Sequence, residues 1–188
     1  MKSLSTKEVL HILKCSSESK RNHAMILLAY LHGMRASEVC GLKLKDLDVK
    51  NEKITIRRLK GSLETTQSMS NVTGQPLLSE LRVLKAWLGE RHDASDFVFT
   101  SQKGGRVDRT QFFRIFQSIA QRAGLPADQR HPHCLKHSLG FALVESGAHM
   151  AVIKQALGHK SMQSTAVYTS ATDQMADKAR QSAMANLF

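Results

Sequence analysis

Leu157-Gly-His-Lys-Ser-Met-Gln-Ser-Thr-Ala-Val-Tyr-Thr169 is the stretch on which the reading of this chain turns. Gly158 breaks an apolar helical pattern, His159 follows the break, and Tyr168 comes nine residues later. The chain has one other tyrosine, Tyr30, which lies inside an apolar helix pattern and reads as core. Two basic groups lie upstream, Gly33-Met-Arg-Ala-Ser-Glu38 and His131-Pro-His-Cys-Leu-Lys-His137. One candidate nucleophilic tyrosine, several cations and no metal-ligand spacing point to phosphoryl transfer through a covalent tyrosyl phosphate.

Outward from that stretch, helical periods dominate. Ser5-Thr-Lys-Glu8 is a capping box ahead of Val9, Leu10, Ile12 and Leu13, and it starts a first helix. Residues 22–32 predict an apolar, central helix closed by Gly33, and 35–42 a short third one. Residues 46–48 read as a turn. Ile54 and Ile56 alternate with polar residues and predict a strand, with Lys60-Gly61 a turn and 64–69 its return. Residues 77–91 return to helical period, 97–100 form a short buried strand or extended segment, and Asp108 caps a helix over 112–123. Helices are then expected over 133–146 and 149–157, with a short one capped by Ser161 and ending near Tyr168. The expected fold class is mainly α with a small antiparallel three-stranded sheet. No repeat or linker divides the chain, so residues 1–188 are expected to form a single domain. Its tail, 173–188, is helical and amphipathic, with Met175, Ala179, Ala183 and Leu187 at fourfold spacing.

Composition narrows the partner. Against 16 Asp and Glu stand 27 Lys and Arg, a net charge of +11, and a domain this basic most often meets a polyanion. Nucleic acid leads and an anionic membrane surface follows. The longest apolar run, 24–31, is too short to cross a bilayer and no signal segment opens the chain. Three cysteines without close pairs (Cys15, Cys40, Cys134) fit a reducing cytoplasm and read as small core residues.

Each candidate has an ordinary reading beside the chemical one. In the helix from His133, Leu135, Leu139, Ala142, Leu143 and Ser146 follow the core period, while His133, Lys136, His137 and Gly140 share another face. That face is either a solvated basic strip or an anion site at a helix N-terminus. Arg35 pairs with Glu38 three residues on, either as a weak surface pair or as an oriented guanidinium for phosphate oxygens. Lys60 at a turn is either solvated or placed to reach a DNA groove. Singly the ordinary readings prevail; in this order and spacing the set does not read as coincidence.

With those residues in view, the sequence resembles the tyrosine recombinase (phage integrase) family from about residue 5 to 188. Gly-Met-Arg35-Ala-Ser-Glu is similar to its first arginine box, and Lys60 in Arg-Leu-Lys-Gly to its hairpin lysine. His133-Cys-Leu-Lys136-His137 resembles the His-x-x-Arg-His box. Leu-Gly-His159 with Tyr168 resembles the third box and nucleophile. The surrounding residues look most like the small fimbrial phase-variation recombinases. Two departures stand out: Lys136 holds the place of the family's second arginine and lacks the planar fork, and no N-terminal core-binding domain is expected ahead of the catalytic one.

The resemblance implies a site-specific recombinase that cleaves and rejoins double-stranded DNA through a 3′-phosphotyrosine, for integration, excision or inversion. It implies Arg35, Lys136, His133 and His159 around the phosphate, Tyr168 as nucleophile, Lys60 as general acid and His133 assisting deprotonation of Tyr168. It further implies no cofactor, metal or ATP, and a homotetramer on paired sites. Accessory DNA-bending proteins are possible partners, no membrane is involved, and the location is cytoplasmic and nucleoid-associated. The tail would dock on a neighbouring protomer. Two other readings remain: type IB topoisomerase-like relaxation, and a catalytically impaired DNA-binding accessory protein motivated by Lys136.

Overall fold

The computed structural model describes residues 3–58, 64–72 and 74–168, together with 177, 180, 181, 183 and 184. Eight α-helices occur among these residues. They are α1 (Thr6–Ser16), α2 (Lys20–Leu31), α3 (Ala36–Gly41), α4 (Glu80–Leu88), α5 (Arg109–Arg122), α6 (His133–Glu145), α7 (Met150–Leu157) and α8 (Gln163–Ala166). Three short strands, β1 (Leu47–Asp48), β2 (Lys53–Ile56) and β3 (Thr65–Ser68), fall between α3 and α4.

The helix starts follow local chemistry. Ser5 Oγ accepts from the Glu8 N–H while Glu8 returns a carboxylate oxygen to the Ser5 N–H, so two orphan donors are met reciprocally. Asp108 caps α5 through the Gln111 N–H. In α2, Ala24 to Ala29 are all fully enclosed, because the helix packs against α1, α3, α4 and α6. These residues form one core with Ile12, Leu13, Ile54, Ile56, Phe99, Phe112, Phe116 and Leu135. Each such side chain removed from water contributes roughly 1.5–3 kcal/mol.

The sheet is antiparallel in the order β1-β2-β3, with Leu47 opposite Ile54 and Ile56 opposite Thr65. The three-stranded sheet expected from the sequence is present, but its edge differs from the local reading. Residues 47–48, expected in a turn, form the edge strand β1, because the 3₁₀ turn Leu44–Asp46 ends just before them. The segment 97–100 lies outside the sheet, held by isolated bridges from Phe97 to Lys43 and from Thr100 to Arg106 with a bend between them. Among the described residues no helix is long and apolar enough to cross a membrane.

Two departures concern the region where function was expected. In α6 the enclosed residues are Cys134, Leu135, Lys136, His137, Ser138 and Gly140, whereas Leu139, Ala142 and Leu143 are half-buried and Ser146 is exposed. The first turns of α6 lie between α2 on one side and α7 with Tyr168 on the other, so both faces lose water. The solvated-strip reading of Lys136 and His137 is thereby wrong. A second, smaller apolar cluster is centred on Ile153, Leu157 and Tyr168, with Leu139 and Phe141 against it. Lys60 lies outside the described residues, as does most of the 173–188 tail; of its proposed stripe only Ala183 is described, and it is exposed.

Candidate active site

The Gly33 and Gly158 breaks bring the boxes together. Gly33 ends α2 with φ +54°, and a Cβ there would lie 2.7 Å from Leu157 Cδ2. The end of α2 therefore abuts the end of α7 directly. Gly158 closes α7 in the left-handed conformation (φ +62°), which turns the chain so that His159 follows into the enclosed space.

Arg35 sits at the cap of α3. Its backbone N–H donates to Glu38 Oε2 and its Nη1 to Glu38 Oε1, both at 2.8 Å. The guanidinium keeps 36% of its side-chain surface exposed, while the Glu38 side chain has none. Burial works to raise the Glu38 pKa, but the Arg35 N–H and the charges of Arg58, Lys136 and Arg35 outweigh it and hold the carboxyl below its usual range. Arg35 thus presents an anchored, partly open cation. Beside it a groove is lined by Ala36, Ser37, Arg109, Thr110, Phe113 and His133.

Lys136 is 1% exposed. Its Nζ donates to Gly33 O at 2.8 Å and Leu157 O at 2.5 Å, joining the ends of α2 and α7. Two of three ammonium donors are used, so one direction is left for a ligand. Burial, and then Arg58, lower its pKa to about 7, with Glu38 opposing.

Tyr168 is 2% exposed. Its hydroxyl lies 2.9 Å from His137 Nδ1, and its ring stacks parallel to His159 with centroids 6.2 Å apart. Phe141 meets it edge-on at 5.3 Å, and a Cβ on Gly140 would come within 2.5 Å of the ring. Burial pushes the phenol up to about 12. Burial, then His133, lower His137 to about 4, so the imidazole is neutral at physiological pH. His159 is likewise lowered to about 4, by burial and then Lys136, and Thr165 Oγ1 sits 3.0 Å from its Nδ1.

The structure therefore brings Arg35, Lys136, His159 and Tyr168 into one region, while His133 stands at its exposed edge, 4.4 Å centroid to centroid from the His137 ring. The histidine on the Tyr168 hydroxyl is His137, not His133. A helix places residues i and i+4 on one side, so His133 and His137 are equally eligible by spacing; the depth of Tyr168 against Gly140 decides for the inner one. Two further residues escaped the sequence reading. Thr165 has no motif signal. Arg58, two residues after β2, looks like a surface cation, yet its side chain is wholly buried on Glu38 at 3.1 Å.

Comparison with known proteins accords with this geometry. Residues 2–175 match the model of the phage integrase family. The chain belongs to that family. It is 38% identical over 173 residues to the type 1 fimbriae regulatory protein FimB of Escherichia coli K12, covering 88% of this chain and 82% of FimB. A crystal structure of XerA recombinase superposes with a TM-score of 0.80 at 24% identity, covering 97% of this chain and 65% of that one. XerH recombinase, solved in a pre-cleavage complex with its difH substrate, superposes with a TM-score of 0.78 at 25% identity, covering 95% of this chain and 53% of XerH. This phage integrase family member is a site-specific tyrosine recombinase, an enzyme that cleaves and rejoins DNA. It spans about half to two thirds of the Xer chains it superposes on.

Proposed function

We propose that the chain acts as one catalytic domain on double-stranded DNA, with Tyr168 as the nucleophile. Its phenol oxygen attacks phosphorus, the bond to the 5′-oxygen breaks, and that oxygen leaves as a hydroxyl after taking a proton. The 3′-phosphotyrosine keeps the bond energy, so a second 5′-hydroxyl can reverse the step. Arg35, Lys136, His133 and His159 surround the phosphate, and each preorganised donor contributes about 2.7–4 kcal/mol of barrier lowering. Lys60 is assigned to the 5′-oxygen as general acid by family resemblance.

The observation that carries this reading is the packing of the buried Tyr168, with His137 on its hydroxyl at 2.9 Å and His159 stacked parallel to its ring. Nothing in ordinary core packing calls for two imidazoles against a buried phenol. The oligomer is proposed to be a homotetramer on paired sites, and its place the cytoplasm at the nucleoid. XerH bound to its DNA substrate is the neighbour that supports the DNA partner.

The test first sequences the DNA flanking the gene for repeats and then uses such a repeat, nicked beside the cleavage position so that the cut strand is lost. Wild type should accumulate a covalent protein–DNA adduct and Tyr168→Phe none, with DNA affinity nearly unchanged. Equal adduct from both proteins would refute Tyr168. Absence of adduct from wild type would favour an impaired accessory protein, and relaxation of plasmid without recombinants a topoisomerase.

A further inference from the structure

Arg58 has no role in the set described above, yet its guanidinium holds more acceptors than any other side chain near the site. Nη1 donates to Gly33 O and to Glu38 Oε2, each at 3.1 Å. Nη2 donates to His32 O and to Ala156 O, each at 3.0 Å. Those acceptors come from two segments far apart in sequence. His32, Gly33 and Glu38 flank or hold Arg35, and Ala156 lies three residues before His159.

The fit is close. A Cβ on Gly158 would lie 2.5 Å from Arg58 Nε, so the guanidinium packs on the backbone of the Leu-Gly-His turn itself. Gly33 O also accepts from Lys136, so the Arg58 guanidinium and the helix-borne ammonium share a carbonyl. A second strap runs parallel. Gln67 on β3 donates Nε2 to the same Ala156 O at 3.0 Å, and its Oε1 lies 2.7 Å from His32 Nδ1. His32 in turn pairs with Glu80 at 2.5 Å.

We propose that Arg58 is a positioning residue for DNA cleavage, the side chain that sets the Arg35 segment and the His159 segment in one register. A planar fork with two acceptors on each terminal nitrogen suits this task, because it fixes direction as well as distance. Its charge also matters locally: it faces Lys136 and Glu38, and Glu38 passes its grip to Arg35 through the second carboxylate oxygen. A loss of register of about 1 Å costs on the order of 10²-fold in rate.

The proposal rests on the recombinase reading, and the adduct formed by wild type on the nicked repeat DNA is the control that separates the two. Arg58→Met should slow single-turnover adduct formation by about 10²-fold and change the DNA dissociation constant by less than about threefold. Arg58→Lys keeps the charge but not the fork, so it should recover less than about a tenth of the lost rate. The decisive readout is a double-mutant cycle with Arg35→Lys. If Arg58 acts through the Arg35 segment, the two losses are strongly non-additive; a residue that only stabilises the fold gives additive losses in log rate. Should Arg58→Met fail to fold, Gln67→Met cuts the parallel strap and should show the same non-additivity with a loss of about tenfold. Additive losses, full activity of Arg58→Lys, or unimpaired cleavage by the variants would overturn the proposal. Failure of wild type to form adduct would instead remove the recombinase reading beneath it.

Discussion

Lys136→Met should abolish a rise in stability between neutral and mildly alkaline pH. In the unfolded chain this lysine titrates near 10.5, and in the folded protein at about 7. The sign follows directly. Between those values the unfolded chain binds the proton more tightly, so stability increases with pH across the window, and the whole penalty is present below pH 7. At 1.36 kcal/mol per unit the shift corresponds to about 5 kcal/mol, an order-of-magnitude figure for a charge held by two carbonyls and little else. From pH 7.5 to 8.5 the wild type should gain about 1 kcal/mol. His137 and His159, lowered to about 4, titrate below this window. Cys40 and Cys134, pushed up from 9.0 to about 12 by burial, act with the opposite sign from about pH 9 upward. Urea unfolding of both proteins at several pH values isolates the lysine, because every other group is common to both. The diagnostic is the pH dependence of the difference, since methionine also orphans the Leu157 carbonyl at about 1–3 kcal/mol. A difference that is flat across the window would refute a depressed lysine.

Two further outcomes follow from the packing and the charge. Gly140→Ala places a Cβ against the Tyr168 ring and should cost about 1–3 kcal/mol in urea unfolding, whereas Gly41→Ala, with open space around its Cβ, should cost nothing measurable. DNA affinity should fall steeply with salt, by about −0.9 in the log–log slope for each phosphate neutralised, as the net charge of +11 suggests; a slope near −1 would assign the basic surface to another partner.

Much of the architecture was legible because period and punctuation agree. The Ser5–Glu8 box, the apolar run of α2 and the glycines at 33, 124, 147 and 158 mark helix limits that the structure keeps. Residues 47–48 were not legible, since two residues cannot show a period of two and only their pairing with Ile54 and Lys53 makes them a strand. The α6 faces were misread for another reason: periodicity assumes one solvated side, and here α2 and Tyr168 cover both. Within the candidate site, motif order found Arg35, Lys136, His159 and Tyr168. It did not find Arg58, because a charged residue after a strand carries no sign of what the fold will lay over it.

The state of Tyr168 is the point on which structure and chemistry must be reconciled. A phenol at about 12 beside a neutral imidazole is a poor nucleophile. Yet both shifts have one principal cause, burial. On the proposed function, a phosphodiester entering beside Arg35 and Lys136 adds negative charge. It favours the protonated form of Lys136 and of the histidines, and so raises their pKa values from the lowered range. His137, already on the hydroxyl, then becomes a better proton acceptor as DNA binds, with no rearrangement of its hydrogen bond. On the proposed function, the free protein holds its tyrosine protonated, and the substrate strengthens the base on its hydroxyl.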